Sequence, residues 1–208
     1  MKYHVTSESR RRAYHQTARA KASAKTGERI LDAAFARFAT MLFEEVTLRA
    51  IAADADVSEQ TVIRRFGSKE ELFAAVGERE RARILAEREP DDDGGQPLES
   101  SIHALVGHYE SDGPVMLNFL AQESRSPLIA KVLREGRTTH EGWVERHCAT
   151  VLGQTQGAER DRRVAAAIAA TDLYTWKLLR LDRGLEPPEV EGVMVALLRG
   201  LERTAGGT

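Results

Sequence analysis

The side chains best suited to chemistry lie between Thr47 and Lys69. Two short helical runs there, about 48–54 and about 58–65, flank Ala55-Asp56-Val57. Their inward positions are Leu48, Ile51, Ala52, Ala55, Val57 and Val62, small or apolar residues that let two helices approach closely. The outward positions of the second run are Ser58, Glu59, Gln60, Thr61, Arg64 and Arg65. Hydrogen-bonding and cationic groups of this kind suit phosphates and base edges. The pattern is that of a helix-turn-helix, in which the first helix braces a second that enters the major groove. A second helix of roughly 12 Å reads few bases alone. A twofold dimer sets two such helices about 34 Å apart on one face of the duplex.

Other chemistries lack their residues. The chain has no Walker loop, no GxGxxG after a strand, no GxSxG and no HExxH. Nor has it the Glu-x-x-His pairs of a helical di-iron protein. An enzyme is not expected. The single cysteine, Cys148, excludes an intrachain disulfide and a Cys-rich zinc fold, and reads as a small buried residue. His140, Trp143 and His147 share a helical face, but no third ligand can be named. That face is therefore expected to be hydrogen-bonded or partly exposed, and neither a metal nor a cofactor is expected.

The elements that position the outward face are helical almost throughout. Ile30, Leu31, Ala34, Phe35 and Phe38 recur at three- and four-residue steps, with Thr26 as an N-cap. Ser58 caps the second short run. Ser68 with Glu71 forms a capping box that opens a helix to about Glu89. Pro90 to Pro97 reads as a loop. Further helices are expected at about 98–111, 114–124, 127–152, 161–182 and 189–204. The expected class is all-α: an N-terminal helix-turn-helix domain plus a C-terminal helical domain for ligand binding and dimerisation. The expected borders are a disordered basic arm over 1–26, the DNA-binding domain over 27–72 and the second domain over 73–208. With 208 residues, 42% hydrophobic and 30% charged, the chain can bury a sizeable core. No apolar run approaches the roughly 18 residues that cross a bilayer, and no secretory signal opens the chain, so a cytoplasmic protein without a membrane partner is expected.

A net charge of −2 hides an asymmetry. Residues 1–26 carry seven bases against Glu8, a net +6, whereas the rest is acidic. Charge alone serves equally a polyanion partner contacted at one end and a solvated tail.

Residues 28–73, ERILDAAFARFATMLFEEVTLRAIAADADVSEQTVIRRFGSKEELF, resemble the DNA-binding domain of the TetR family of bacterial transcriptional repressors. The resemblance implies a homodimer on a palindromic operator of double-stranded DNA, released by a small-molecule effector in the C-terminal domain. It also implies roles. Thr47 and Ser58 contact phosphate at their helix starts. Arg49 projects towards the groove or backbone, Gln60 and Thr61 read bases, and Lys69 meets phosphate at the start of the fourth helix. Lys25 and the residues before it reach the adjacent minor groove. The chain departs from the family where Asp56 replaces the usual turn glycine and Leu42 a second one. Ile63 stands at a common aromatic, and Arg65 where His or Tyr is common. Phosphate contact is thus expected to shift to Arg64 or Arg65, leaving Ile63 to touch a thymine methyl.

The C-terminal half says less. Tyr109, Phe119, Trp143, His147 and Trp176 are the candidate lining of an effector pocket, although the same residue types build cores. Ile168 and Tyr174, with Val193, Leu197 and Leu201 of the last helix, are the candidate dimer interface. A rival reading keeps DNA binding without an effector: a nucleoid or cell-division type of factor controlled by a protein partner.

Overall fold

The computed structural model describes residues 7–89 and 97–203, and among them no strand occurs. The helices are α1 (Ser7–Thr40), α2 (Leu48–Asp54), α3 (Glu59–Phe66), α4 (Lys69–Glu87), α5 (Pro97–Gln122), α6 (Pro127–His147), α7 (Ala149–Leu152), α8 (Gly157–Thr171), α9 (Leu173–Lys177) and α10 (Pro187–Arg203). A 3₁₀ turn, Phe43–Glu45, follows α1, and a π-helical turn, Leu178–Asp182, follows α9. The protein is all-α, as its periodicity implies.

Several boundaries differ from the sequence expectation, among them a break at Cys148 in the expected 127–152 helix. The expected disordered arm is helical from Ser7, its first six residues lying outside the described ones. Residues 7–26 contain neither Gly nor Pro and are rich in Ala, Arg and Lys, all good helix formers. Thr26 consequently lies inside α1, where its hydroxyl donates to the Ala22 carbonyl at 3.0 Å instead of capping a terminus. Pro114 lies within α5 instead of ending a helix. One face of that helix buries Leu105, Tyr109, Asp112 and Gly113 continuously, so burial outweighs the amide that proline cannot donate. Asp172 breaks the expected 161–182 helix by capping Tyr174 N at 2.8 Å. The expected loop at 90–96 lies outside the described residues.

Two compact units divide the chain, residues 1–78 and 79–208. The border falls inside α4, a little past the expected 72/73, because Leu72, Phe73 and Val76 are buried with the first core. That core contains Ile30, Ala34 and Phe38 of α1, Ile51 and Ala52 of α2, and Val62 of α3. The rings of Phe38, Phe43 and Phe73 meet at centroid distances of 5.7, 5.0 and 5.3 Å. The second core gathers α5, α6, α8 and α10 around Trp143 and Trp176, both fully buried. Gly113 is required there: a Cβ would sit 2.6 Å from the Trp176 ring.

Between α2 and α3, Asp56 adopts φ 50°. This is the left-handed region, which Asp visits more cheaply than most residues. Arg29 of α1 donates to the Asp56 carbonyl at 3.3 Å and holds the turn. Replacing Asp56 with Ala is expected to lower stability by about 1 kcal/mol, while Asp56→Gly leaves it unchanged or raises it. Urea unfolding midpoints of the two variants check the sign.

Candidate nucleic-acid interface

Local caps set the ends of α2, α3 and α4. The hydroxyl of Thr47 accepts from Ala50 N at 3.2 Å. Ser58 Oγ accepts from Thr61 N at 3.2 Å and lies 2.9 Å from Thr61 Oγ1. Ser68 Oγ accepts from Glu71 N at 3.2 Å, and the Glu71 carboxylate accepts from Ser68 N at 2.7 Å. That backbone amide holds the Glu71 carboxyl below the usual range. Gly67, at φ 80°, permits the box, since a Cβ there would collide with Glu71. At these three helix starts, unlike at Thr26, the capping residues act where they stand in the sequence.

With its N-terminus capped and Val62 buried, α3 presents Gln60, Ile63, Arg64 and Arg65 to solvent, with Thr61 half-buried. Thr47 and Ser58 are exposed at their helix starts, and Arg49 on α2 and Lys25 on α1 are also exposed. Ile63 is 41% exposed, a large apolar side chain on an otherwise polar face. Between α1 and α3 opens a cleft of about 500 Å³, lined by Ala22, Ser23, Thr26, Thr61, Arg64 and Arg65.

Two of the expected cations are already engaged. Arg65 Nη1 donates to Ser23 Oγ of α1 at 2.9 Å, and its guanidinium lies 5.8 Å from the Phe66 ring centroid. Lys69 Nζ donates to the Phe43 carbonyl at 2.8 Å and sits 4.4 Å from the Phe43 ring centroid. An ammonium has three donors, so Lys69 is anchored with donors to spare. Arg64 lies on the same exposed face as Arg65.

Sequence reasoning missed the bracing that holds this face. Arg37 of α1 grips Asp54 of α2 with two bonds, of 2.5 and 3.0 Å. The carboxylate partner raises the Arg37 pKa, and Asp54 is correspondingly held below its ordinary value. These residues are 17 apart and Phe43 and Lys69 are 26 apart, so no local spacing announces either contact.

Comparison with known proteins agrees with this geometry. Residues 30–76 match the family described as bacterial regulatory proteins, tetR family. A curated HTH-type transcriptional repressor of Streptomyces coelicolor is 26% identical over 172 residues, 82% of this chain and 83% of the relative. Over residues 30–76 the chain is similar to the TetR family.

Solved structures share the TetR fold. A tetR-family transcriptional regulator from Streptomyces coelicolor superposes with a TM-score of 0.69 at 17% identity, over 88% of this chain and 82% of that one. A TetR-like transcriptional regulator from Rhodococcus sp. RHA1 gives 0.64 at 22%, over 88% and 97%.

In the second unit, the candidate pocket residues fall in and around the core. Tyr109 is buried and its hydroxyl donates to the Thr171 carbonyl at 2.9 Å. Burial pushes that phenol's pKa well up. The indole of Trp176 donates to Glu110 at 2.8 Å and that of Trp143 to the Arg88 carbonyl at 3.3 Å. Phe119 and His147 are half-buried. His147 Nδ1 lies 3.2 Å from Ser101 Oγ. His140 is buried and hydrogen-bonded, and burial drives the pKa of buried Cys148 up to about 11. Of the candidate dimer residues, Ile168, Val193 and Leu201 pack against the edge of this same core. Tyr174 and Leu197 are 57% and 48% exposed, while Ile168, Val193 and Leu201 are half-buried. Leu178 and Leu181, 52% and 51% exposed, join Tyr174 in adding large apolar surface that the sequence reading did not single out in full. No described helix is long and apolar enough to cross a membrane.

Proposed function

We propose that this TetR-family transcriptional regulator is a cytoplasmic repressor that binds a twofold-symmetric operator as a homodimer. A small-molecule effector bound by residues 79–208 releases it. The observation that carries the DNA-binding half is the face of α3. It is rigidly capped and braced by Arg37–Asp54 and by Arg29 on the Asp56 carbonyl, yet it turns Gln60, Ile63, Arg64 and Arg65 outward. The repressor half draws on the Streptomyces coelicolor relative, a transcriptional repressor.

In this reading Gln60 and Thr61 read base edges while Ile63 packs on a thymine methyl. Thr47, Ser58 and Lys69 hold phosphates, and Arg49 reaches groove or backbone. Arg64 and Arg65 flank the cleft beside α1, where a phosphate run can pass. Arg65 is the less available of the two because it already bonds Ser23. Lys25 sits on α1 itself, so it meets DNA from a helix instead of from a flexible arm.

The direct test is a footprint of the purified dimer on its own promoter, with bulk DNA as competitor. A twofold-symmetric protected site is expected, and equal affinity for both DNAs overturns the reading. If the dimer neutralises about six to eight phosphates, log affinity falls with log salt at a slope of about −5 to −7. Filter binding between 50 and 300 mM salt measures it. Replacing Ile63 with Ala is expected to cost about 1 kcal/mol of operator affinity and to relax preference at one base pair per half-site. Unchanged preference removes Ile63 from base readout.

A further inference from the structure

Buried side-chain atoms without a partner concentrate in one part of the second unit. Among the described residues they are Nε of Arg88, both ring nitrogens of His108, Oδ2 of Asp112 and Nε2 of His147. Native structures leave few such atoms, and a group of them signals something polar still to be bound. His108 Nδ1 lies 3.2 Å from Asp112 Oδ2, but without hydrogen-bond geometry.

Arg88 stands out among them. It is 5% exposed and follows α4 directly. Its Nη2 donates to His140 Nδ1 at 2.7 Å, and its guanidinium lies 4.8 Å from the Trp143 ring centroid. Among the described residues no carboxylate forms an ion pair with it. Other guanidinium groups of the unit are paired: Arg81 with Glu135, Arg83 with Asp112, Arg163 with Glu159 and Arg180 with Glu110. Burying a charge without a counter-charge is strongly unfavourable. His140 supplies a dipole but no charge, because burial and the neighbouring Arg88 keep it neutral.

We propose that Arg88 is the anchor of the effector site, and that the effector is a small organic anion whose carboxylate or phosphate group pairs with its guanidinium. This rests on the effector-controlled reading above and gives that effector its chemical class. The orphaned Nε and an adjacent Nη form a fork that matches two oxygens of one oxyanion. Trp143 lies against that guanidinium on α6, and His147 stacks on Trp143 at a ring-centroid distance of 5.0 Å. Glu89, exposed and 3.9 Å from both His147 Nε2 and Arg146, is the nearby acid, and it does not pair with Arg88. A metal is the weaker occupant. Glu87, His108 and Asp112 bring ligand atoms within 4.8 Å of one another. Arg83, however, already donates to both carboxylates, at 2.7–2.8 Å, and fills the cation's place.

The test is thermal unfolding of the full-length chain with formate, benzoate, octanoate and phenyl phosphate, against benzamide and octanamide. At a hundredfold excess over its Kd, a binding anion is expected to raise the midpoint by about 5–10 °C, and the amides not at all. Arg88→Met is expected to lose that rise while keeping the ligand-free midpoint, because it removes an uncompensated charge. Equal responses to anions and amides, or no response to any of the anions, overturn the proposal; this comparison needs only the native chain. Stabilisation by Zn²⁺ that His108→Gln abolishes overturns it in favour of a cation. If a neutral compound both stabilises the protein and releases promoter DNA, effector control stands and Arg88's role falls. If only DNA stabilises it, both fall.

Discussion

Replacing Leu197 with Glu is expected to turn the proposed dimer into a monomer and to weaken operator binding about a thousandfold. Tyr174, Leu178, Leu181 and Leu197 are each about half exposed in the single chain, an unusual surface for large apolar side chains. Two copies that bury such faces form a closed twofold contact in which every residue meets its symmetric counterpart region. A glutamate in that contact would be buried twice without a partner, a strongly unfavourable change. In the free chain Leu197 already faces water, so the variant's own thermal midpoint is expected to move little. The DNA effect follows from linkage. The second recognition helix of a dimer binds at an effective concentration that raises affinity by roughly 10²–10⁴, and a monomer forfeits it. Sedimentation equilibrium and operator titration on the same sample decide the matter. A variant that stays dimeric with native affinity places the dimer interface elsewhere. A variant that becomes monomeric but binds unchanged removes the twofold operator from the reading.

What the sequence made legible was local. Thr47, Ser58 and Ser68 cap within three residues of themselves, so the edges of α2, α3 and α4 could be placed nearly to the residue. Asp56 could be assigned a left-handed turn because few residues tolerate that backbone. The start of α1 was not legible, since a run of Ala, Arg and Lys serves a helix and a solvated arm alike. Pro114 misled because the burial that carries α5 through it depends on Trp176, 62 residues away. Arg88 left only a faint trace, a cation one turn beyond half-buried Ile84 on a helix whose inward stripe it continues. Its partners, His140 and Trp143, belong to another helix, so chemistry set by tertiary contact stayed out of reach. His140 and His147 did share a face, as their spacing requires, and Trp143 stacks between them.

That buried histidine makes the second unit acid-sensitive well above the carboxylate range. Arg88 can only donate, so the 2.7 Å contact fixes His140 Nδ1 as an acceptor and leaves the proton on Nε2. Nε2 then donates to Thr171 Oγ1 at 3.0 Å, and Thr171 donates to the Ala167 carbonyl at 2.8 Å. The chain of bonds ties α6 to α8 and has no place for a second imidazole proton. Burial, then the charges of Arg88 and His108, drive the His140 pKa from its ordinary 6.5 down to about 3. The unfolded chain thus takes up a proton below pH 6.5 that the folded chain refuses. Stability from this group is complete above that pH and is lost progressively as the pH falls towards 3. Between pH 6.5 and 5 the expected loss is about 2 kcal/mol. His147, lowered by burial, adds to it with the same sign. The paired carboxylates Asp112 and Glu159 are also held low, Asp112 because the adjacent His108 and the bonded Arg83 outweigh burial, but they respond at lower pH. Glutamine can accept from Arg88 and donate to Thr171 without titrating. His140→Gln is therefore expected to flatten the fall between pH 6.5 and 5 while leaving stability at pH 8 within about 1 kcal/mol of native. Urea unfolding across that range separates the outcomes: a native curve already flat from pH 7 to 5 would mean that His140 admits its proton in the folded state, and that the Arg88 contact gives way to let it in.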